Sequence, residues 1–209
     1  MYLIGAELTG KTGFTSLALV QRMRKDLKKY YHVIDIKRLS FNPNGNDLVE
    51  KILRIYNDRK YTTRKPRFSQ IDRPKKMVNE KPLLFTAFCD NTVEKMQYLK
   101  KRNIPASCIF FIDENEWRTE IPGKCLKSDF YISKNTLINT ILGVIEQDRL
   151  IMTNRESGEE LFEAFNEYRK IKDAHVSAQD VKPLDDLVLA LAMPVWYYEN
   201  LLSIRPRTP

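Results

Sequence analysis

The densest chemistry in the sequence lies at Pro183-Leu184-Asp185-Asp186-Leu187-Val188-Leu189-Ala190-Leu191-Ala192. Two adjacent carboxylates open a segment that is otherwise apolar. Burying an aspartate charge without a partner is costly, so the pair asks for a helix N-terminus, a cation, or both. A helix cap accounts for one Asp and leaves the second unexplained. Two more acids fall at the ends of apolar, strand-like segments: Glu7 near the end of residues 2–8, and Asp90 directly after residues 83–89. Brought together, Glu7, Asp90, Asp185 and Asp186 would offer the hard oxygen donors that two hard divalent cations require. Two such ions about 4 Å apart activate an attacking water and stabilise the leaving 3′ oxygen of a phosphodiester. Taken singly, each acid also fits an ordinary strand-end or cap position.

A second pattern competes for the N-terminal residues. Gly5-Ala6-Glu7-Leu8-Thr9-Gly10-Lys11-Thr12 matches G-x-x-x-x-G-K-[ST], whose backbone amides cradle phosphates while its Lys reaches the β- and γ-phosphates. Phe110-Phe111-Ile112-Asp113-Glu114 would supply a Mg²⁺-binding strand end. This P-loop reading needs a helix after Thr12, and residues 15–31 are ambiguous. Leu17, Val20, Met23, Leu27 and Tyr30 keep helical spacing, whereas Thr15 to Val20 also suits a strand. A nucleotide-binding enzyme built on Gly5–Thr12 therefore stands as the alternative.

Residues 60–76 carry Lys60, Arg64, Lys65, Arg67, Arg73, Lys75 and Lys76 against one acid, Asp72, and contain Pro66 and Pro74. They read as a basic loop or irregular hairpin inserted into the fold. Its cations suit the phosphates of double-stranded DNA without reading base edges, and Tyr61 and Phe68 would pack on sugars or exposed bases. A solvated surface insertion fits the same residues.

These groups need a scaffold, and the rest of the chain supplies one. Strands are expected at 2–8, 32–41, 83–89, 107–112 and 150–152. Helices are expected from Asn46 or Asp47 through Tyr56, at 92–102, from the Ser133 cap through Ile145, over 161–168, and from Asp185 onward with a bend or break at Pro194. That order suits one mixed α/β domain over residues 1–209, a central sheet flanked by helices. The chain has 209 residues with 43% hydrophobic and 11% aromatic content, which argues against disorder. A net charge of +8 favours a polyanionic partner. Cys89, Cys108 and Cys125 show no CxxC spacing, so neither a disulfide framework nor a structural zinc site is indicated. Cys89 and Cys108 read as buried thiols. The longest apolar run, Leu187 to Tyr198, is too short to span a bilayer, and Met1 leads straight into a strand without a secretory leader. A soluble intracellular protein is expected.

Taken together, these segments resemble the C-terminal nuclease domain of the large terminase subunit, the DNA-packaging enzyme of tailed phages and herpesviruses. Leu184-Asp185-Asp186-Leu187-Val188-Leu189-Ala190-Leu191-Ala192, with Trp196-Tyr197 behind it, is similar to the family's H-D-D-L-V-x-A-L-A ending. Ile132-Ser133-Lys134, then Asp148-Arg149-Leu150-Ile151, then Glu160-Leu161 and Phe165 resemble its helix–short strand–helix run. Residues 2–8 with Gly10 resemble its first strand and turn, and Phe88-Cys89-Asp90 falls where its second acid is expected. Glu7 stands where the family usually has Asp, Leu184 where it has His, and Asn91-Thr92-Val93 where glycines normally follow the second acid. The resemblance implies an RNase H-like fold, with residues 15–31 as strand two, and Mg²⁺- or Mn²⁺-dependent cleavage of DNA. It implies Asp186 as the direct ligand of the Asp pair, with Asp185 as cap or ligand of the second ion. It further implies action on concatemeric viral DNA in the host cytoplasm or nucleus, beside a portal, a small terminase subunit and an ATPase motor that is not part of this chain.

Overall fold

The computed structural model describes residues 1–8, 14–40, 47–66, 77–87, 92–112, 130–153, 158–166 and 185–204. Strand β1 (Tyr2–Glu7) is followed by two long strands, β2 (Phe14–Lys25) and β3 (Lys28–Ser40). Helix α1 (Asp47–Asn57) and a 3-10 turn (Arg59–Tyr61) lead to a small antiparallel pair, β4 (Thr63–Pro66) and β5 (Met77–Glu80). Then come β6 (Leu83–Ala87), α2 (Val93–Lys101), β7 (Ala106–Phe111), β8 (Phe130–Ile132), α3 (Lys134–Glu146), β9 (Leu150–Met152), α4 (158–166) and α5 (Asp185–Ile204).

Seven strands form one mixed sheet in the order β8-β7-β6-β1-β2-β3-β9. β1, β2 and β3 run antiparallel, while β6, β7 and β8 extend the sheet from β1 in parallel and β9 joins β3 in parallel. The fold is the mixed α/β class expected, a central sheet flanked by helices, and it is compatible with an RNase H-like arrangement.

Side-chain alternation assigns each residue of β1 to a layer. Ile4, Ala6 and Leu8 pack with Leu17, Leu19 and Leu84 against Leu48, Val49 and Ile52 of α1 and Leu99 of α2. Leu3 packs on the opposite face with Ala18, Val20 and Phe85 against α3, α4 and α5. A strand covered on both faces loses its polar alternation, which is why residues 2–8 read as a continuous apolar run. The same reasoning explains α5. It lies between the sheet and α3, so Leu187 through Met193 are all buried and the helix is apolar on every side.

Gly5 is where α5 comes closest to β1. A methyl group there would lie 1.7 Å from the carbonyl oxygen of Ala190 and 2.8 Å from Cδ of Pro194. Pro194 has no N–H to give the carbonyl four residues earlier, so the Ala190 oxygen faces the glycine instead. The helix runs on through Pro194 to Ile204, so of the bend or break expected there the break does not occur.

The ambiguous segment 15–31 is neither a helix nor one strand but a hairpin, with Asp26 and Leu27 at its turn. Both have positive φ, 49° and 65°, as a two-residue hairpin turn of the primed type demands. Leucine in that region costs about 1 kcal/mol. Ser133 caps α3 as expected, its Oγ accepting the Thr136 N–H at 3.1 Å. Cys108 is buried and not in a disulfide; Cys89 and Cys125 lie outside the described residues. Among those residues no helix is long and apolar enough to cross a membrane.

Candidate functional site

Three neighbouring strands place one row of polar residues across the sheet. Glu7 at the end of β1 pairs with Ser16 of β2, and Ser16 pairs with Arg38 of β3. Directly paired residues point to the same face. Glu7 shares its face with Gly5, which abuts α5. The N-terminus of α5 delivers Asp186 to this row. The Ser16 hydroxyl donates to Asp186 Oδ2 at 2.7 Å, and Arg38 Nη2 donates to Oδ1 at 3.1 Å.

Glu7 and Asp186 are 3% and 2% exposed, so both carboxyls are held in the interior. Burial pushes Asp186 above the usual carboxylate range, and the Ser16 hydroxyl, the Arg38 charge and the Leu187 backbone amide pull it only part of the way back. Arg38 also reaches Glu160 of α4, with Nη1 3.8 Å from Oε1, and its guanidinium lies 5.5 Å from the Phe14 ring centroid. Its buried Nε has no acceptor among the described residues.

Of the acids singled out in the sequence, Glu7 and Asp186 are brought to one face, one cross-strand step apart through Ser16. Asp90 and the side chain of Asp185 lie outside the described residues, although Asp185 is the first residue of α5. Among the described residues no group of three His, Cys, Asp or Glu side chains forms a metal-holding set. The two acids in place are nonetheless hard oxygen donors beside a helix N-terminus, a donor set that fits Mg²⁺ or Mn²⁺ and not a soft-ligand metal. Asp186 is paired with a cation, so truncating it would strand Arg38 and Ser16.

Ser16 and Arg38 were missed in the sequence. The signal was weak: Ser16 is a polar residue on the parity of buried Ala18 and Val20, and nothing local links Arg38 to a residue 148 positions away.

The competing phosphate-loop pattern loses its context. Residues 9–13 lie outside the described region, but the element after them is β2, antiparallel to β1, where a P-loop needs a helix N-terminus. Gly5 sits within β1 under α5 and not in a loop.

The basic segment is partly described. Lys60 is exposed in the 3-10 turn, with Nζ 5.5 Å from the Tyr61 ring centroid, and Tyr61 packs edge-on against Tyr2 at 5.4 Å. Arg67, Arg73, Lys75 and Lys76 lie outside the described residues, as do the side chains of Arg64 and Lys65. The backbone of β4 and β5 makes the flanks a hairpin.

A second polar cluster holds the other end of α5. Arg149 forks onto Glu199, with Nη1 2.8 Å from Oε1 and Nη2 3.1 Å from Oε2. Tyr31 donates to the same Oε1, and Lys29 Nζ donates to the Tyr198 carbonyl at 2.8 Å. α5 is thus pinned to β2 and β3 by a carboxylate near each end. Comparison with protein-family models, with curated proteins and with solved structures finds no match for this chain.

Proposed function

We propose that the chain is a divalent-metal-dependent endonuclease of the RNase H-like kind, similar to the terminase large-subunit nuclease domain. Its substrate is double-stranded DNA, read without sequence preference. The single observation that supports this most is the delivery of buried Glu7 and Asp186 to one sheet face by the end of β1 and the start of α5. Charged carboxylates are expensive to bury, and a bound divalent cation offsets that cost.

Glu7 and Asp186 would hold Mg²⁺ or Mn²⁺, with Asp90 and Asp185 completing a two-ion set. Two bound ions supply an activated water and charge stabilisation at the leaving oxygen. The protein's own share is positional. Ser16 fixes one oxygen of Asp186, so its carboxylate plane is set before substrate arrives, and Glu7 is held by its pairing with Ser16 on one side while the β1–β6 pairing runs up to Ala6 on the other. Arg38 would pair with a substrate phosphate once a bound cation takes its place on Asp186. The basic residues 60–76 would hold the DNA backbone. In biological terms the reading is cleavage of concatemeric viral DNA inside the host cell, in cytoplasm or nucleus, with portal, small terminase subunit and ATPase motor as partners.

A second reading rests on the Asp186–Arg38 pair itself: with its carboxylate already neutralised, Asp186 is a staple for α5, and the chain is a non-catalytic DNA-binding or assembly module. Supercoiled plasmid separates the two. The nuclease reading expects nicking and linearisation with Mn²⁺, none with EDTA, and at least a hundredfold loss in Asp186→Asn, on the scale of removing one essential charge-stabilising group. Intact plasmid at all Mn²⁺ concentrations leaves the module reading.

A further inference from the structure

The β2–β3 hairpin outruns the sheet. Pairing with β1 ends at Tyr2–Gln21, closed by the Arg22 N–H on the Met1 carbonyl at 2.8 Å, and β9 meets β3 only at Tyr31–Val33. The last three pairs, Met23–Tyr30, Arg24–Lys29 and Lys25–Lys28, form a two-stranded ribbon that no other described strand joins. Three pairs project by roughly 10 Å. Arg24, Lys25 and Lys28 are exposed on it, with Asp26 the single acid at the tip. Lys29 is turned back onto the carbonyl of Tyr198. Leu27 crowns the turn, 82% exposed and at φ 65°.

Neither property of Leu27 helps the turn. Asn or Gly would relax the backbone, and an apolar side chain gains nothing from facing water. Strain combined with apolar exposure at a projecting basic tip points to a partner that covers it. A two-stranded ribbon fits the major groove of duplex DNA, which is about 12 Å wide and about 8.5 Å deep. Arg24, Lys25 and Lys28 then face the flanking phosphates, and Leu27 reaches base edges and thymine methyl groups at the groove floor. An anionic lipid surface would attract the same cations, but one leucine buries too little to hold a chain on a membrane.

We propose that the tip of the β2–β3 hairpin is a DNA-contacting element that enters the major groove through Leu27 while Arg24, Lys25 and Lys28 grip the backbone. It lies nine residues along β2 from Ser16, roughly 30 Å from the candidate metal site, so it is a separate contact and does not rest on the nuclease reading.

The test is binding of the full chain to a short fluorescent duplex in EDTA, where no metal acts, over a range of salt. The triple variant Arg24→Gln, Lys25→Gln, Lys28→Gln should bind at least about tenfold more weakly at low salt. Its salt slope should flatten by about 0.9 for each lost phosphate contact. Leu27→Gly should weaken binding several-fold with the slope unchanged and raise the melting temperature, since the turn relaxes. Parent-like isotherms from either variant, or no duplex binding by the parent, overturn the proposal. So does loss of binding to phosphatidylserine vesicles in the triple variant without loss of DNA affinity, which would make the tip a lipid contact.

Discussion

Asp186 and Glu199 are carboxylates of the same helix, and their surroundings push them in opposite directions. For Asp186, burial outweighs its partners and raises its pKa. A raised acid favours the folded state at low pH and loses that contribution as pH rises through the raised value, so at neutral pH the ionised group is a burden that a cation relieves. For Glu199, burial also pushes upward, but the Arg149 fork, the Tyr31 hydroxyl and the Arg149 and Lys29 charges outweigh it, and its pKa falls below 4.5. A depressed acid contributes stability above its unfolded value and loses it as pH falls through the folded one. The melting temperature should therefore drop below about pH 4.5. Glu199→Gln should flatten that drop and cost about 2 kcal/mol near neutrality, because Arg149 keeps only a neutral acceptor. Parallel pH profiles for parent and variant would show that this pair is not linked to folding. Glu7 and Asp186 were legible in the sequence because charge at the end of an apolar run is conspicuous, whereas Glu199 gave no such signal. Ser16 and Arg38 were not, since strand register, and not local pattern, places them beside Asp186.

Elements whose signals are local were read correctly: α1 with its apolar stripe, α3 with its Ser133 cap, and the short strand β9. Those decided by packing were left open or read only in part. Residues 15–31 fit helix and strand spacing alike; sheet pairing on both sides makes β2 the strand that the resemblance implies, and the turn at Asp26-Leu27 that ends it early carried no local signal. Pro194 suggests a bend or a break, and packing against Gly5 carries α5 past it unbroken. Gly5 itself fitted a phosphate loop, whereas its physical reason is the close approach of a helix backbone. Gly5→Ala should therefore cost at least about 3 kcal/mol, because a backbone carbonyl cannot step aside as a flexible side chain does. Chemical denaturation measures this directly, and a midpoint equal to the parent's would mean that α5 does not pack on β1 at that point.

At the scale of the whole molecule, the sheet separates two kinds of surface. One end gathers buried carboxylates from β1 and α5; the other extends a cationic ribbon, in a chain of net charge +8. The mixed α/β layering was legible in the sequence because apolar strands and amphipathic helices alternate along it. The site was legible only in part, because its acids are spread over nearly the full length and only tertiary pairing joins them. The most direct test of the account is a count of bound Mn²⁺ by electron paramagnetic resonance on the parent, on Glu7→Gln and on Asp186→Asn, with circular dichroism to confirm that each is folded. The account predicts saturable Mn²⁺ binding in the parent and at least about tenfold weaker binding in each variant, since each removes a direct ligand. Mn²⁺ binding that is absent from the parent, or unchanged in both folded variants, would contradict it.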